Sequence, residues 1–173
     1  AQGYLEDDKL DAASGKLDSL EQDSSLTDEQ RKQVEDMKNK LQSAKDSAQQ
    51  QQENEQKKSE RRQEFSSEMD ELESDDLKIS SAANAEDELA MTASSFEQWD
   101  ELLSEMYDYL AGVLNADQYA SEEENYKQWV AERDSGAENA ASATEDSTQK
   151  QLASYSFKQS YTKARCYKLL DMM

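Results

Sequence analysis

The chemistry open to this chain is narrow. Cys166 is its only cysteine and histidine is absent, so a thiolate has no imidazole to activate it and every triad built on a histidine base is excluded. Zinc sites of the Cys/His kind are excluded with them. Cys166 lies four residues after Thr162 and three before Leu169, the spacing of a packed helical stripe, and reads as a small buried hydrophobe. Carboxylates are abundant: Asp70-Glu71, Glu73, Asp75-Asp76 and Glu122-Glu123-Glu124 could act as acid–base pairs or hold calcium loosely. None has the loop spacing and central glycine of an EF-hand. Among 40 acidic side chains such clusters arise by chance, so a solvated face is the simpler reading. No catalytic residue, no metal ligand and no cofactor is expected.

Two segments stand apart from this background. One runs Tyr126-Lys-Gln-Trp129-Val-Ala-Glu-Arg133-Asp134, the other Thr162-Lys-Ala-Arg165-Cys-Tyr-Lys-Leu169. Trp129 and Arg133 are four apart and share a helical face, so the guanidinium can lie against the indole. Two readings stay open for Trp129, Arg133, Asp134, Thr162 and Arg165. They form a surface for a partner, or Trp129 anchors a core and the arginines tie neighbouring helices; the second is the simpler, because a helical tryptophan is most often core.

The elements that must position these residues are helices. Only 35% of the chain is hydrophobic and 34% is charged, with no proline and four glycines, which favours helices burying narrow stripes over disorder. The fold class is all-α: an elongated helical or coiled-coil arm followed by a small antiparallel helical domain. Residues 1–9 read as loose. Leu10, Ala13, Leu17 and Leu20 mark a helix over 10–22. Thr27-Asp-Glu-Gln30 matches a capping box, opening a long helix over 27–74 whose seam runs Val34, Met37, Leu41, Ala44 and Ala48. The seam crosses a polar centre and returns at Phe65, Met69 and Leu72. A turn near Gln49–Gln52 is the alternative; nothing there encodes one. Residues 74–84 form the boundary, giving an acidic arm over 1–78 and a domain over 85–173. In the domain, Ala85, Leu89, Thr92, Phe96, Trp99, Leu103, Met106, Leu110 and Val113 repeat at helical spacing. Ser121-Glu-Glu-Glu124 reads as a second capping box, residues 136–147 as a frayed or turning stretch, and Leu152, Tyr155, Thr162, Cys166, Leu169 and Met173 as a last helix. Only Tyr4 and Phe65 of the aromatic residues precede residue 90, which puts the core after residue 85.

The net charge of −21 repels nucleic acid and anionic membrane and attracts cationic partners. No apolar run approaches the roughly 20 residues of a membrane span. The arm reads as a coiled coil that dimerises or as a spacer.

Taken in order, Tyr107 and Leu110, the Trp129-x-x-x-Arg133-Asp134 segment and the Thr162-x-x-Arg165-x-x-x-Leu169 segment resemble the lysozyme-inhibitor LprI-like domain of bacterial envelope proteins and lipoproteins. The resemblance covers roughly residues 90–173 and leaves out the arm. It implies an all-helical, non-enzymatic, extracytoplasmic domain with a protein partner, a cationic lysozyme being the named one, and membrane attachment only through a lipid anchor outside this chain. Many members carry a disulfide pair where this chain has Ala137 and Phe157, glutamine where it has Tyr126, and a glycine-rich turn between the last two helices. The alternative reading is a cell-surface adaptor or spacer without inhibitory activity.

Overall fold

The structure, a computed structural model, describes the backbone of residues 2–173 and the side chains from residue 9 onward. It is all-α, with five helices and no strand among the described residues: α1 (Gln2–Glu21), α2 (Asp28–Ile79), α3 (Ala85–Val113), α4 (Ala116–Ala141) and α5 (Ser147–Met172). Helix α1 begins at Gln2, where the sequence suggests a loose segment; Tyr4 and the other side chains of residues 1–8 lie outside the described residues. Helix α2 runs through Gln49–Gln52 without a turn. Thr27 caps it as its spacing predicts: the Gln30 amide donates to the Thr27 hydroxyl at 3.3 Å and the Thr27 amide to Gln30 Oε1 at 2.9 Å.

The chain falls into two compact units, residues 1–59 and residues 60–173. In the first unit α1 and the N-terminal part of α2 form an antiparallel hairpin. Lys38 meets Asp18 at 2.7 Å and Glu21 at 2.5 Å, and Lys45 meets Asp11 at 2.7 Å. Val34 is the one buried side chain among described residues 9–59.

The second unit is built from α3, α4, α5 and the last part of α2. Helices α3 and α4 pair rising with falling residue numbers, as Asp100 with Arg133 and Tyr107 with Tyr126. Helices α4 and α5 do the same, whereas α3 and α5 run parallel, as Ser95–Gln159 and Trp99–Cys166 show. Helix α2 runs antiparallel to both α3 and α5, through Phe65–Tyr109 and Glu73–Lys163. The result is an up-down-up-down arrangement of four helical segments.

Its core joins Trp99, Leu102, Leu103, Met106 and Leu110 of α3, Trp129 of α4 and Cys166, Leu169 and Leu170 of α5 to Phe65 and Met69 of α2. Phe65 is as buried as any residue of α3, and Met69 nearly so. The core therefore starts twenty residues before the point suggested by the aromatic distribution, because the α2 seam that resumes at Phe65 finds its partners on α3 and α5.

Two local expectations are corrected. Helix α4 opens at Asn115, not at Ser121: the Asn115 side chain accepts from the Gln118 amide at 3.0 Å and the Gln118 side chain accepts from the Asn115 amide at 3.2 Å. The segment 136–147 turns, but only in its second half: α4 continues to Ala141, the chain turns over 142–146, and Asp146 caps α5 by accepting from the Gln149 amide at 2.9 Å. Gly136 lies inside α4, at a position where a Cβ would overlap Cζ and Cε1 of Phe157. The glycine makes room for the Phe157 ring of α5 at this level.

Candidate functional site

The two motif segments meet on facing sides of α4 and α5. Trp129 is buried at 8% exposure within a ladder of rings. Tyr126 stacks on it at 5.8 Å between centroids and Tyr161 at 5.7 Å, and Phe157 continues the stack beyond Tyr161 at 5.5 Å. Tyr107 of α3 closes the other end against Tyr126 at 4.5 Å. The guanidinium carbons of Arg133 and Arg165 lie 5.0 and 6.0 Å from the indole centroid, so this ring system carries two cations.

Each cation has its carboxylate. Arg133 donates through Nη1 to Asp100 of α3 at 2.7 Å and through Nε to Asp134 at 3.2 Å. Lys158 approaches the same Asp134 oxygen at 3.9 Å. Arg165 donates through Nε and Nη2 to the Tyr107 hydroxyl at 2.8 and 2.6 Å, and through Nη2 to Glu122. Tyr107 in turn donates to Glu122 Oε1 at 3.0 Å, and Asn125 to Oε2 at 3.3 Å. Arg165 and Glu122 are both buried. Burial pushes the Tyr107 phenol well above its ordinary range, opposed by the Arg165 hydrogen bond; the phenol stays protonated and remains a donor.

Of the five residues singled out from sequence, Trp129, Arg133, Asp134 and Arg165 belong to this assembly. Thr162 does not join it. Its side chain is fully buried one turn before Arg165, and Oγ1 has no hydrogen-bond partner among the described residues. Sequence reasoning missed Glu122, which it placed on a solvated acidic face. Its register was the available signal: Glu122, Tyr126, Trp129, Arg133 and Ala137 follow one another at helical spacings of four and three. Asp76 was misread for the same reason. It lies where α2 meets α3, accepting from Ser95 and from the Trp99 indole N–H at 3.1 Å, with Lys163 at 3.7 Å.

Chemically the arrangement holds helices together. Burial raises the Cys166 thiol to about 12, with Asp100 adding to it, and the thiol donates to the Trp99 carbonyl at 3.8 Å. No group of three or more His, Cys, Asp or Glu among the described residues is disposed to hold a metal ion. No described helix is long and apolar enough to cross a membrane. Between α4 and α5 a shallow groove of ≈ 390 Å³ is lined by Gln128, Trp129, Glu132, Tyr161, Arg165 and Lys168 among others. The Tyr161 ring there already stacks with both Trp129 and Phe157.

The family model for lysozyme inhibitor LprI matches residues 79–169, more than half of the chain. The chain belongs to the LprI lysozyme-inhibitor family. No curated protein and no solved structure matches it. The matched span takes in α3, α4 and nearly all of α5, and with them both motif segments; Phe65, Met69, Glu73 and Asp76 lie before it. At the positions where the resemblance implies a disulfide, Ala137 is buried and Phe157 packs over Gly136, so an aromatic contact joins α4 to α5 there.

Proposed function

We propose that this chain is a non-enzymatic extracytoplasmic protein that binds and inhibits a cationic lysozyme. The observation that carries the reading is the family match across three complete or nearly complete helices. A physical reason for the partner supports it. Residues 60–173 hold 10 basic and 26 acidic side chains, net −16, and a field of that sign raises the encounter rate with a basic protein. The absence of histidine and the raised Cys166 thiol fit a protein that works by binding and not by turnover.

In this reading Trp129, Arg133 and Arg165 act indirectly, by fixing α4 and α5 as one rigid surface, and Thr162 acts only as a buried part of α5. Asp134, with its side chain 48% exposed, is the member of the five placed to touch a partner.

The test is digestion of bacterial cell walls by lysozyme with the protein titrated in, at about 50 and about 150 mM salt, the Debye length at the higher salt being about 8 Å. Saturable inhibition at both is expected. Inhibition present only at low salt would reduce the interaction to charge attraction, and none at either would sink the proposal in favour of a spacer without inhibitory activity.

A further inference from the structure

The α1/α2 hairpin of residues 1–59 leaves its own seam half covered. On α2, Val34 is buried and Leu41 and Ala48 are half-buried against α1, but Met37 is 54% exposed and Ala44 is exposed on the adjoining edge. Leu20 of α1, at the same end of the hairpin as Met37, is 46% exposed. Two helices that bury one side chain among their described residues 9–59 leave a seam that further packing can cover, and antiparallel helix pairs reach independent stability by packing against further helices.

Charge indicates which partner fits. Residues 1–59 carry 9 basic and 14 acidic side chains, net −5, against −16 for residues 60–173. The hairpin is therefore the part of the molecule that can meet a second copy of the chain with least repulsion. Its charges also fit one orientation better than the other. Asp28 and Glu29 open α2, Lys57 and Lys58 close its first half, and the ion pairs within the hairpin use Lys38 and Lys45 instead. A parallel pair of such helices sets acid on acid and lysine on lysine. An antiparallel pair centred near Ser43 sets Asp28 and Glu29 of each copy against Lys58 and Lys57 of the other, and a two-fold axis makes that match twice.

We propose that the chain forms an antiparallel homodimer through the exposed Met37–Ala44 edge of α2, with Leu20 at its rim. The match of Asp28 and Glu29 with Lys58 and Lys57 selects the orientation, and the apolar edge supplies the contact.

Sedimentation velocity of the intact chain between about 1 and about 100 µM tests it. The expected result is a concentration-dependent shift to twice the 19.7 kDa of the chain. Met37→Glu should weaken association at least about tenfold. The double variant Lys57→Glu/Lys58→Glu should weaken it as well, and adding Asp28→Lys/Glu29→Lys should restore it, because the four changes together exchange the two ends. The fluorescence of Trp99 and Trp129, both in residues 60–173, together with helix content, serves as the folding control. A monomer across the whole range overturns the dimer. A dimer indifferent to Met37→Glu overturns the surface, and failure of the charge exchange to restore association overturns the antiparallel orientation.

Discussion

The two units of this chain use the same material, long helices with three-and-four spaced seams, and reach opposite degrees of completion. In residues 60–173 the stripes of four helical segments converge, and Phe65, Trp99, Leu103, Met106, Leu110, Cys166 and Leu169 are almost wholly removed from water. In residues 9–59 one face meets one face, and only Val34 is buried. The sequence spacing is equally regular in both. What differs is the number of neighbours a stripe can find, and the size of what it carries: Val34, Met37, Leu41 and two alanines in the first half of α2, aromatic rings, leucines and methionines after residue 60. A regular seam specifies a helix; large side chains facing several partners specify a core.

The contrast between the units can be broken most severely where the four-helix unit buries charge. Arg165 and Glu122 face each other inside it, bridged by Tyr107. Arg165→Met would leave a carboxylate buried without its cation, at a cost of about 3–5 kcal/mol. Urea unfolding followed by tryptophan fluorescence should show the midpoint fall accordingly. Adding Glu122→Leu should recover a large part of the loss, since an apolar pair of similar volume removes the stranded charge. Failure of that recovery would mean that the salt bridge does more than satisfy itself. No counterpart exists among the described residues of the hairpin, whose ion pairs are at the surface.

Next in size is the seat of the Phe157 ring against Gly136. Gly136→Ala forces the Phe157 ring to move, and overpacking of this kind costs about 1–3 kcal/mol. Phe157→Leu in the same chain should return much of it by freeing the space. The glycines of the hairpin and of α3 offer the control: a Cβ at Gly15 or Gly112 meets nothing within 4 Å, so alanine there should be neutral or slightly stabilising through helix propensity.

How much of this is legible in the sequence follows from residue type more than from position. The seam of α3 and the Thr27 cap can be read directly, because apolar periodicity and a short polar motif each have one dominant structural meaning. Trp129, Arg133 and Arg165 stand out as chemically unusual residues at helical spacing. Glu122 and Asp76 are hidden, since in a chain this acidic a carboxylate held between helices looks like its solvated neighbours until its partner across the helix interface is known. Asn115 is missed because Ser121-x-x-Glu124 offers a rival capping box six residues later. Gly136 reads as a break for want of Phe157, which lies 21 residues away in sequence but against it in space.

Alkaline pH distinguishes the interior of the larger unit by titration. Cys166 is held at about 12 by burial, against an ordinary thiol value of 9.0. Between those values the unfolded thiol loses its proton while the folded one keeps it. Stability from this group is therefore complete below pH 9 and declines above it by about 1.4 kcal/mol per pH unit. Cys166→Ala should flatten that part of the profile while lowering stability at neutral pH through the lost Sγ packing. In the native protein at pH 8 a thiol reagent should react slowly, at a rate set by unfolding.

The smallest effect expected is in the hairpin, and it tests whether the two units are as unequal as their burial suggests. Val34→Ala removes two methyl groups from the best-covered position of residues 9–59, worth about 1 kcal/mol from area alone. Because a neighbouring helix is present on one side only, relaxation or water can fill the gap, and no cavity cost is added. Leu103→Ala, surrounded on all sides at 1% exposure, should cost about 2–5 kcal/mol. The two should also differ in where they register. Hydrogen exchange in Val34→Ala should quicken in α1 and the first half of α2 and leave α3 and α5 unchanged, whereas Leu103→Ala should quicken exchange throughout α3 and α5. Equal losses for the two substitutions would show that Val34 sits in a packed core larger than the one seen among described residues 9–59, as contact with a second copy of α2 would supply.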